Sequence, residues 1–258
     1  MELQFSKYHG AGNDFVLIDN RTQFFDAGNV DLINWLCDRR FGIGADGLML
    51  LEDHDNYDFE MRYFNADGKE ASMCGNGGRC IVAFAAYLKI IEKETCFLAV
   101  DGEHHAVYED GIVDLQMIDI NDHQKLSNAF FMDTGSPHYV EFVNDISKVD
   151  VVNQGRAIRE SEQFAPNGTN VNFVQKDENQ LTVYTFERGV EDETLACGTG
   201  ITASALCASL KDNDTINQYQ IKAKGGDLEV RFNRTGDTFN NVWLKGPAAR
   251  VFDGKLEL

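Results

Sequence analysis

The sequence predicts an α+β fold of two pseudo-symmetric domains from an internal duplication, each a barrel-like β-sheet wrapped around a central α-helix. Two observations lead to this prediction. The segment MCGNG around Cys74 resembles the segment ACGTG around Cys197, 123 positions later. Further markers recur in the same order at offsets of 122 to 125 positions, which indicates a repeat and not a chance match of two short segments.

The elements of the first half follow from its hydrophobic pattern. A strand, a turn and a second strand are predicted for residues 3–19, and a helix for residues 30–40, where apolar and polar residues mix. Aromatic and aliphatic residues predict a strand over residues 59–65. The run RCIVAFAAYLKII, residues 79–91, lacks Pro and Gly and is apolar nearly all round, which predicts a buried helix.

The second half repeats this order of elements. A strand, a turn and a strand are predicted for residues 128–143, and a helical stretch for residues 146–160. The segment LTVYTFE, residues 181–187, predicts a strand, and ITASALCASLK, residues 201–211, predicts a second buried helix. Strands and glycine turns close each half.

The repeat also predicts the domain organisation. Residues 1–117 form the first half-repeat, with Cys74, and residues 118–258 form the second, with Cys197. The chain has only three prolines and no Pro-rich or Ser-rich linker. We therefore expect two halves without a long flexible connection.

Net charge and cysteine content argue against several classes of function. The 258 residues carry 23 basic and 42 acidic side chains, a net charge of −19, which argues against binding to nucleic acid or to an anionic membrane surface. No apolar run approaches the roughly 18 residues of a membrane span, and the first residues lack the pattern of a signal peptide. We expect a cytoplasmic protein whose six cysteines are reduced.

Cys74 and Cys197 are the candidate catalytic residues. Each precedes a Gly-x-Gly segment at the start of a predicted buried helix. A helix N-terminus presents unpaired amides and a positive dipole end, which favour a thiolate and can hold a carboxylate. Two such thiols acting on opposite faces of one carbon would invert a stereocentre: one takes a proton and the other returns one. This chemistry needs no cofactor and no metal.

One competing motif fails on its context. Gly42, Gly44 and Gly47 match the dinucleotide fingerprint G-x-G-x-x-G as text. The fingerprint requires a strand before the glycines and a helix after them. Here a charged, helix-like segment precedes and a strand-like segment follows, so we expect no dinucleotide site.

Eight segments together resemble the diaminopimelate epimerase family across essentially the whole chain. In chain order they are KYHGAGNDF, FGIGADGL, MRYFNADG, MCGNGGRC, GSPH, NGTNVNF, FERGVEDET and ACGTG. The resemblance implies two barrels, each around a central helix, with the last strand, about residues 249–258, returning to the first domain. It also implies pyridoxal-phosphate-independent conversion of LL-2,6-diaminoheptanedioate to the meso form, which feeds lysine and, in most bacteria, peptidoglycan synthesis.

The resemblance also implies a role for each site residue. Cys74 and Cys197 would be the base and the acid, with their roles exchanged in the reverse direction. The amides of Gly75, Asn76, Gly198 and Thr199 would bind the carboxylate of the reacting centre, and Asn13 and Glu187 would hold its ammonium group. Asn65, Asn170 and Arg188 would bind the distal centre of the substrate. His138 would assist positioning.

Two positions depart from some family members. Ser136 stands where some members have Asn, and Gly47 stands where some have Gln. Serine offers one donor in place of two, and glycine offers no side-chain contact. Both changes concern the distal end of the substrate and leave the inversion chemistry untouched.

Several alternatives stay open at this point. Another two-cysteine racemase, for proline or hydroxyproline, would share the architecture, although Asn76 and the triplet from Glu187 to Gly189 favour diaminopimelate. A relative of the phenazine-pathway isomerase would lack two-thiol chemistry. A silent amino-acid-binding protein would bind without exchanging the α-proton. We expect the protein to bind a small amino-acid substrate and to bind neither nucleic acid nor a membrane. A homodimer is one possible assembly.

Overall fold

The computed structural model describes residues 2–212 and 215–258. The chain forms two compact units, one of Met1–Leu115 with Gly246–Leu258 and one of Gln116–Lys245. In the part of the chain that is described, every helix is too short or too polar to cross a membrane. The sequence divides the chain into half-repeats at residues 1–117 and 118–258, and these bounds remain a prediction.

The first unit is built mainly from strands around one buried helix. Its elements are β1 (Glu2–Gly10), β2 (Asn13–Asp19), α1 (Val30–Cys37), β3 (Gly47–Glu52), β4 (Glu60–Asn65), β5 (Glu70–Ala71), α2 (Gly75–Tyr87), β6 (Glu94–Ala99), β7 (Gly102–Glu109) and β8 (Ile112–Gln116).

The second unit contains the same kinds of strand and helix, with an added 3₁₀ helix. They are β9 (Gln124–Lys125), β10 (Ala129–Asp133), β11 (Pro137–Phe142), a short 3₁₀ helix (Ile146–Lys148), α3 (Val151–Arg159), β12 (Asn170–Asp177), β13 (Gln180–Glu187), β14 (Asp192–Thr194), α4 (Gly198–Asp212), β15 (Gln218–Ala223), β16 (Gly226–Thr235) and β17 (Thr238–Pro247). A last strand, β18 (Ala249–Glu257), follows in the chain and pairs with β1.

The strand pairings repeat from one unit to the other. In the first unit β1–β2 is antiparallel, β2–β3 parallel, β3–β4 antiparallel, β4–β6 parallel, and β6–β7 and β7–β8 antiparallel. In the second unit β10, β11, β12, β13, β15, β16 and β17 follow the same sequence of directions. This identity confirms the predicted α+β fold of two repeated domains.

Each sheet wraps around its own central helix. Helix α2 packs against β1, β2, β3, β7 and β18, and α4 packs against β10, β11, β12, β13, β15 and β16. Both helices are buried over most of their length because their residues are mostly apolar or small, with Arg79 and Asn76 of α2 as buried polar exceptions. The helices begin at Gly75 and Gly198, directly after the two cysteines. The sequence pattern therefore located both cysteines at a helix start.

Candidate active site

The predicted site residues of the first unit gather around the start of α2. Cys74 is the N-cap residue of this helix, and its side chain makes no capping hydrogen bond. The first intrahelical bond runs from the amide of Gly78 to the carbonyl of Cys74, 2.7 Å. Helix geometry leaves the amides of Gly75 and Asn76 without an intrahelical acceptor. Those amides and the half-buried thiol form a surface that suits an anion.

The hairpin between β1 and β2 brings Asn13 to this thiol. Ala11 and Gly12 form its two-residue turn with φ of 52° and 88°, the left-handed geometry that matches the twist of paired strands. The Oδ1 atom of Asn13 lies 3.7 Å from the Sγ atom of Cys74 and 3.4 Å from the Nδ2 atom of Asn76. The structure thus brings together three of the predicted residues.

An ion-pair network fixes the orientation of Asn13. Its Nδ2 atom donates to a carboxylate oxygen of Asp46, 2.6 Å, and Arg39 donates to the other oxygen of that group, 2.6 Å. Arg39 also pairs with Asp14, which pairs with Lys7. Burial opposes ionisation of Asp14, but the two cations outweigh it and hold the pKa of this carboxyl well below its usual range. The amide nitrogen of Asn13 therefore faces Asp46, and its oxygen faces the thiol.

Asn65 and Gly47 lie opposite each other on β4 and β3. The structure places Asn65 at the exposed end of its strand, where its backbone closes the turn to β5. A Cβ atom at Gly47 would lie 2.6 Å from the ring of Tyr63 and 2.6 Å from the carbonyl of Phe64. The space that a longer side chain would enter at this position is therefore already filled.

In the second unit the predicted residues gather around the start of α4. Cys197 is buried, and its Sγ atom lies 3.5 Å from the Oγ1 atom of Thr199. The amide of Ile201 donates to the carbonyl of Cys197, 2.8 Å, which leaves the amides of Gly198 and Thr199 without an intrahelical acceptor. The carbonyl of Thr199 accepts a hydrogen bond from Thr134, 2.9 Å, which ties the first turn of the helix to the sheet.

His138 connects Thr199 to the core of the second unit. Its Nε2 atom lies 2.9 Å from the Oγ1 atom of Thr199 and 3.0 Å from the Oγ atom of Ser136. Its Nδ1 atom lies 3.1 Å from the Nδ2 atom of Asn172. Burial, together with the positive charge of Arg188, lowers the pKa of His138 to about 3. The imidazole is therefore neutral at physiological pH.

The hydrogen-bond partners of Asn172 determine the tautomer of this imidazole. The Nδ2 atom of Asn172 also donates to the carbonyl of Tyr139, 3.1 Å, and its Oδ1 atom accepts from the hydroxyl of Thr185, 2.9 Å. Because a carbonyl can only accept, the amide orientation is settled, and Nδ1 of His138 must accept as well. The ring proton then sits on Nε2 and points to the hydroxyls of Thr199 and Ser136.

Asn170 and Arg188 lie side by side at the ends of β12 and β13. Asn170 donates from Nδ2 to the carbonyl of Pro137, 3.0 Å, and to the hydroxyl of Ser136, 3.2 Å. Its Oδ1 atom accepts from the backbone amide of Arg188, 2.9 Å. Both amide hydrogens are therefore used within the protein, and the side chain holds the backbone of Arg188. Arg188 and Glu187 are both half-buried at this end of β13.

The second glycine of each Gly-x-Gly motif is a packing residue. A Cβ atom at Gly77 would lie 2.4 Å from the Cε atom of Met49. At Gly200 it would lie 2.3 Å from the Oδ1 atom of Asn172 and 3.1 Å from the ring of His138. These glycines let each helix approach the side chains of its sheet closely.

Sequence reasoning missed four residues that the structure adds to the two clusters: Asp46, Arg79, Asn172 and Thr185. Each contacts a predicted residue through its side chain or through one intermediate group. A signal existed for Arg79, which is a charged residue at the start of the apolar run 79–91. Asn172 was also visible as a second asparagine on the same face of a strand as Asn170.

Comparison with known proteins assigns the family. The family model of diaminopimelate epimerase matches residues 5–115 and 130–251. A diaminopimelate epimerase of Flavobacterium psychrophilum is 51% identical over 249 residues, which cover 96% of this chain and 97% of that protein. A diaminopimelate epimerase of Chlorobaculum tepidum is 43% identical and covers 96% and 99% of the two chains.

Solved structures with low sequence identity share the fold. A phenazine biosynthesis protein of the PhzF family from Bacillus anthracis has a TM-score of 0.79 at 12% identity and full coverage of both chains. A hydroxyproline epimerase from Agrobacterium vitis, solved with trans-4-hydroxy-L-proline, has a TM-score of 0.70 at 14% identity and covers 100% of this chain and 93% of its own. The repeated fold, the match to the family model and the sequence identities show that this chain belongs to the diaminopimelate epimerase family, a family of isomerases.

Proposed function

We propose that this protein is a cofactor-independent epimerase that converts LL-2,6-diaminoheptanedioate to meso-diaminoheptanedioate in lysine and peptidoglycan precursor biosynthesis. The observation that carries the proposal is the presence of two thiols, each at the N-terminal end of a buried helix in one of two repeated units. The family supplies the substrate class, because the relatives from F. psychrophilum and C. tepidum carry the name of this activity.

The proposed reaction is two proton transfers at one carbon. The thiolate sulfur of one cysteine takes the proton from the α-carbon and becomes a thiol, and the electron pair of the broken C–H bond moves toward the carboxylate. The thiol of the other cysteine gives its proton to the opposite face of the same carbon and becomes a thiolate. No group is oxidised or reduced, and the reverse reaction exchanges the roles of Cys74 and Cys197.

Backbone amides are proposed to stabilise the charge that develops on the carboxylate. The amides of Gly75 and Asn76 and those of Gly198 and Thr199 lie at the positive ends of the two helix dipoles. Preorganised donors of this kind lower the barrier because they need no reorganisation as charge builds up.

Polar side chains are proposed to hold the rest of the substrate. The oxygen of Asn13 and the carboxylate of Glu187 suit the ammonium group of the reacting centre. The guanidinium of Arg188 suits the distal carboxylate, and Asn65 and Asn170 belong to the same distal region. For Asn170 the observed bonds favour an indirect contribution, because its amide holds the backbone of Arg188. His138 contributes as a neutral donor to Thr199.

The setting proposed for this reaction is a reducing cytoplasm, in which both thiols stay available. The ligand is a small dicarboxylic diamino acid, and nucleic acid and membrane are not proposed as partners. A homodimer stays an open proposal.

The experiment is proton NMR of LL-diaminopimelate with the protein in D₂O under reducing conditions. We expect loss of the α-proton signal together with appearance of the meso isomer. Cys74→Ala and Cys197→Ala should each abolish the full interconversion, whereas Cys96→Ala, which changes a half-buried cysteine on β6, should not. A folded protein that exchanges no proton would overturn the substrate assignment. Exchange with proline or hydroxyproline instead would establish the alternative racemase.

A further inference from the structure

The hairpin of β6 and β7 carries a group of metal-ligating side chains that the proposed reaction does not use. Among the residues that the structure describes, one set of three cysteine, histidine and carboxylate side chains converges, and their ligand atoms all lie within 4.8 Å of one another. The set consists of Cys96 on β6 and of Glu103 and His105 on β7.

The antiparallel register of the hairpin brings these side chains to one face. Cys96 lies directly opposite His105. Glu103 is two residues before His105 and therefore points to the same side of the sheet. The neighbouring residue on β6, Phe97, is buried and stacks on Phe59, so the three ligands lie on the outer face. Cys96 is half-buried there, whereas Glu103 and His105 are exposed, which leaves a path for an ion from solvent.

The carboxylate of Glu103 lies between the sulfur and the imidazole. Its Oε1 atom is 2.9 Å from the Nε2 atom of His105. It also accepts hydrogen bonds from the thiol of Cys96 and from the hydroxyl of Tyr57. These contacts hold the three donor groups together before any ion enters.

A second carboxylate fixes the backbone that carries the thiol. The Oδ2 atom of Asp58 accepts from the amide of Cys96, 2.9 Å, and from the hydroxyl of Thr95, 2.8 Å. Outer groups of this kind orient the ligands of metal sites. The sulfur is therefore presented from a strand whose position is set by side-chain as well as ladder hydrogen bonds.

The donor set suits zinc. A thiolate and an imidazole are ligands that Zn²⁺ prefers, and a carboxylate oxygen is also common in its sites. Tetrahedral bonds to zinc place such donors about 3.3–3.8 Å apart, so small rotations of the exposed Glu103 and His105 side chains complete the geometry. On binding, the thiol of Cys96 releases its proton to solvent, and the thiolate and the carboxylate together balance the two charges of the ion. Water takes the fourth position.

The repeat supplies an internal comparison. The β15–β16 hairpin closes with Ala223 opposite Gly226, as β6–β7 closes with Ala99 opposite Gly102, an offset of 124 positions. At that offset the three ligands correspond to Gln220, Asp227 and Glu229. Gln220 donates to Glu229 across the strands, so the second hairpin has the same layout of side chains without a thiol or an imidazole.

We propose that the outer face of the β6–β7 hairpin is a binding site for Zn²⁺, held by the Cys96 thiolate, the His105 imidazole and the Glu103 carboxylate. The inference goes beyond the proposed function, because these residues lie outside both clusters of the candidate active site. The site holds one ion per chain, and the equivalent hairpin of the second unit holds none.

The test is titration of the reduced full-length chain, without a polyhistidine tag, with Co²⁺ and then with Zn²⁺. The parent protein carries Cys74→Ser and Cys197→Ser, so that the thiols at the helix starts contribute nothing. We expect one equivalent of cobalt with a cobalt–thiolate charge-transfer band in the near ultraviolet, which zinc abolishes by displacement. Cys96→Ser should remove the band, and His105→Gln and Glu103→Gln should each weaken zinc binding at least about tenfold.

The matched control is Glu229→Gln, which changes the position equivalent to His105 in the second hairpin and should leave cobalt and zinc binding unchanged. The absence of a thiolate band in the folded parent would overturn the inference. A band that survives Cys96→Ser, or zinc affinity that is the same in His105→Gln, would also overturn it. Because both helix-start thiols are absent and no substrate is added, this result is independent of the NMR experiment on diaminopimelate.

Discussion

Asn172 donates a hydrogen bond to Nδ1 of His138 across 3.1 Å, and this bond fixes where the imidazole carries its proton. The consequence reaches Cys197 through one further residue, because the proton on Nε2 points to the hydroxyl of Thr199. The hydroxyl of Thr199 can then donate its own hydrogen to the sulfur of Cys197, 3.5 Å away, or to the Oγ atom of Ser136, 3.3 Å away. A buried strand residue thus sets which of these groups donate and accept beside a candidate catalytic thiol.

Replacing Asn172 should therefore impair catalysis although its side chain has no described contact with either thiol. In Asn172→Ala the imidazole loses the donor that selects its tautomer, and the bonds of the buried amide to Tyr139 and Thr185 are lost as well. A single such bond contributes about 1 kcal/mol, so loss of the bond to His138 should lower kcat by roughly fivefold with a smaller change in KM. Steady-state kinetics measures the split. Gln175→Ala, on the same strand but bonded to the backbone of Ile146, is the control and should leave kcat unchanged.

Thr199→Val tests the hydroxyl itself. Valine keeps the shape of the side chain and the backbone amide, and it removes only the group that links His138 to Cys197. A thiolate that loses a hydrogen-bond donor is less stable, so the pKa of Cys197 should rise by about one unit while that of Cys74 does not move. Alkylation of each cysteine as a function of pH measures both values. Thr199→Ser should restore the original midpoint, and a valine variant with wild-type behaviour would exclude this role.

The low pKa of His138 predicts a pH dependence of stability. The folded-state pKa of about 3 lies below the usual value of 6.5, so the unfolded chain binds the proton more readily in this window. The stability linked to neutral His138 is complete above about pH 6.5 and is lost progressively as the pH falls toward 3. Urea unfolding at pH 7.5 and pH 5 should show a smaller loss for His138→Gln than for the wild-type protein. Equal losses would contradict the prediction.

Gly47→Gln should not recover the side-chain contact that some family members have. The ring of Tyr63 and the carbonyl of Phe64 already occupy the space beside this glycine. We expect the variant to be less stable by about 1–3 kcal/mol, because overpacking forces neighbouring groups to move. Thermal unfolding measures the loss, and the double variant Gly47→Gln with Tyr63→Ala should recover part of it. A stable single variant with tighter substrate binding would show that the ring moves freely.

The fold class could be predicted from the sequence because several independent patterns indicated the same architecture. The repeat, the two apolar helical runs and the glycine motifs all indicated the same α+β architecture, and both central helices begin where the cysteines predicted. The predicted helix over residues 79–91 begins earlier and ends at Tyr87, because Lys89 adopts a left-handed φ of 61°. Helix ends depend on local capping, which hydrophobic periodicity does not report.

The supporting residues of the candidate site depend on contacts that periodicity cannot show. Asn172 reaches His138 because β11 and β12 are parallel, with Val140 opposite Asn172. The buried state of Arg79 follows from the packing of α2 inside its sheet, whereas arginine is usually exposed. The missing side chain at Gly47 could be read from the sequence, but the ring that fills its place could not. Three-dimensional proximity, and not residue type, distinguishes these positions.

The pairing of β18 with β1 has a consequence for synthesis on the ribosome. Their register runs from Glu2 opposite Glu257 to His9 opposite Ala249, so one edge of the first sheet is completed by a strand that follows the whole second unit in the chain. The second unit can therefore assemble while the first still exposes an open strand edge. Open edges recruit other chains, and β1 alternates buried and exposed residues over only part of its length. The emerging protein thus carries a transient aggregation risk that ends only when its final strand docks.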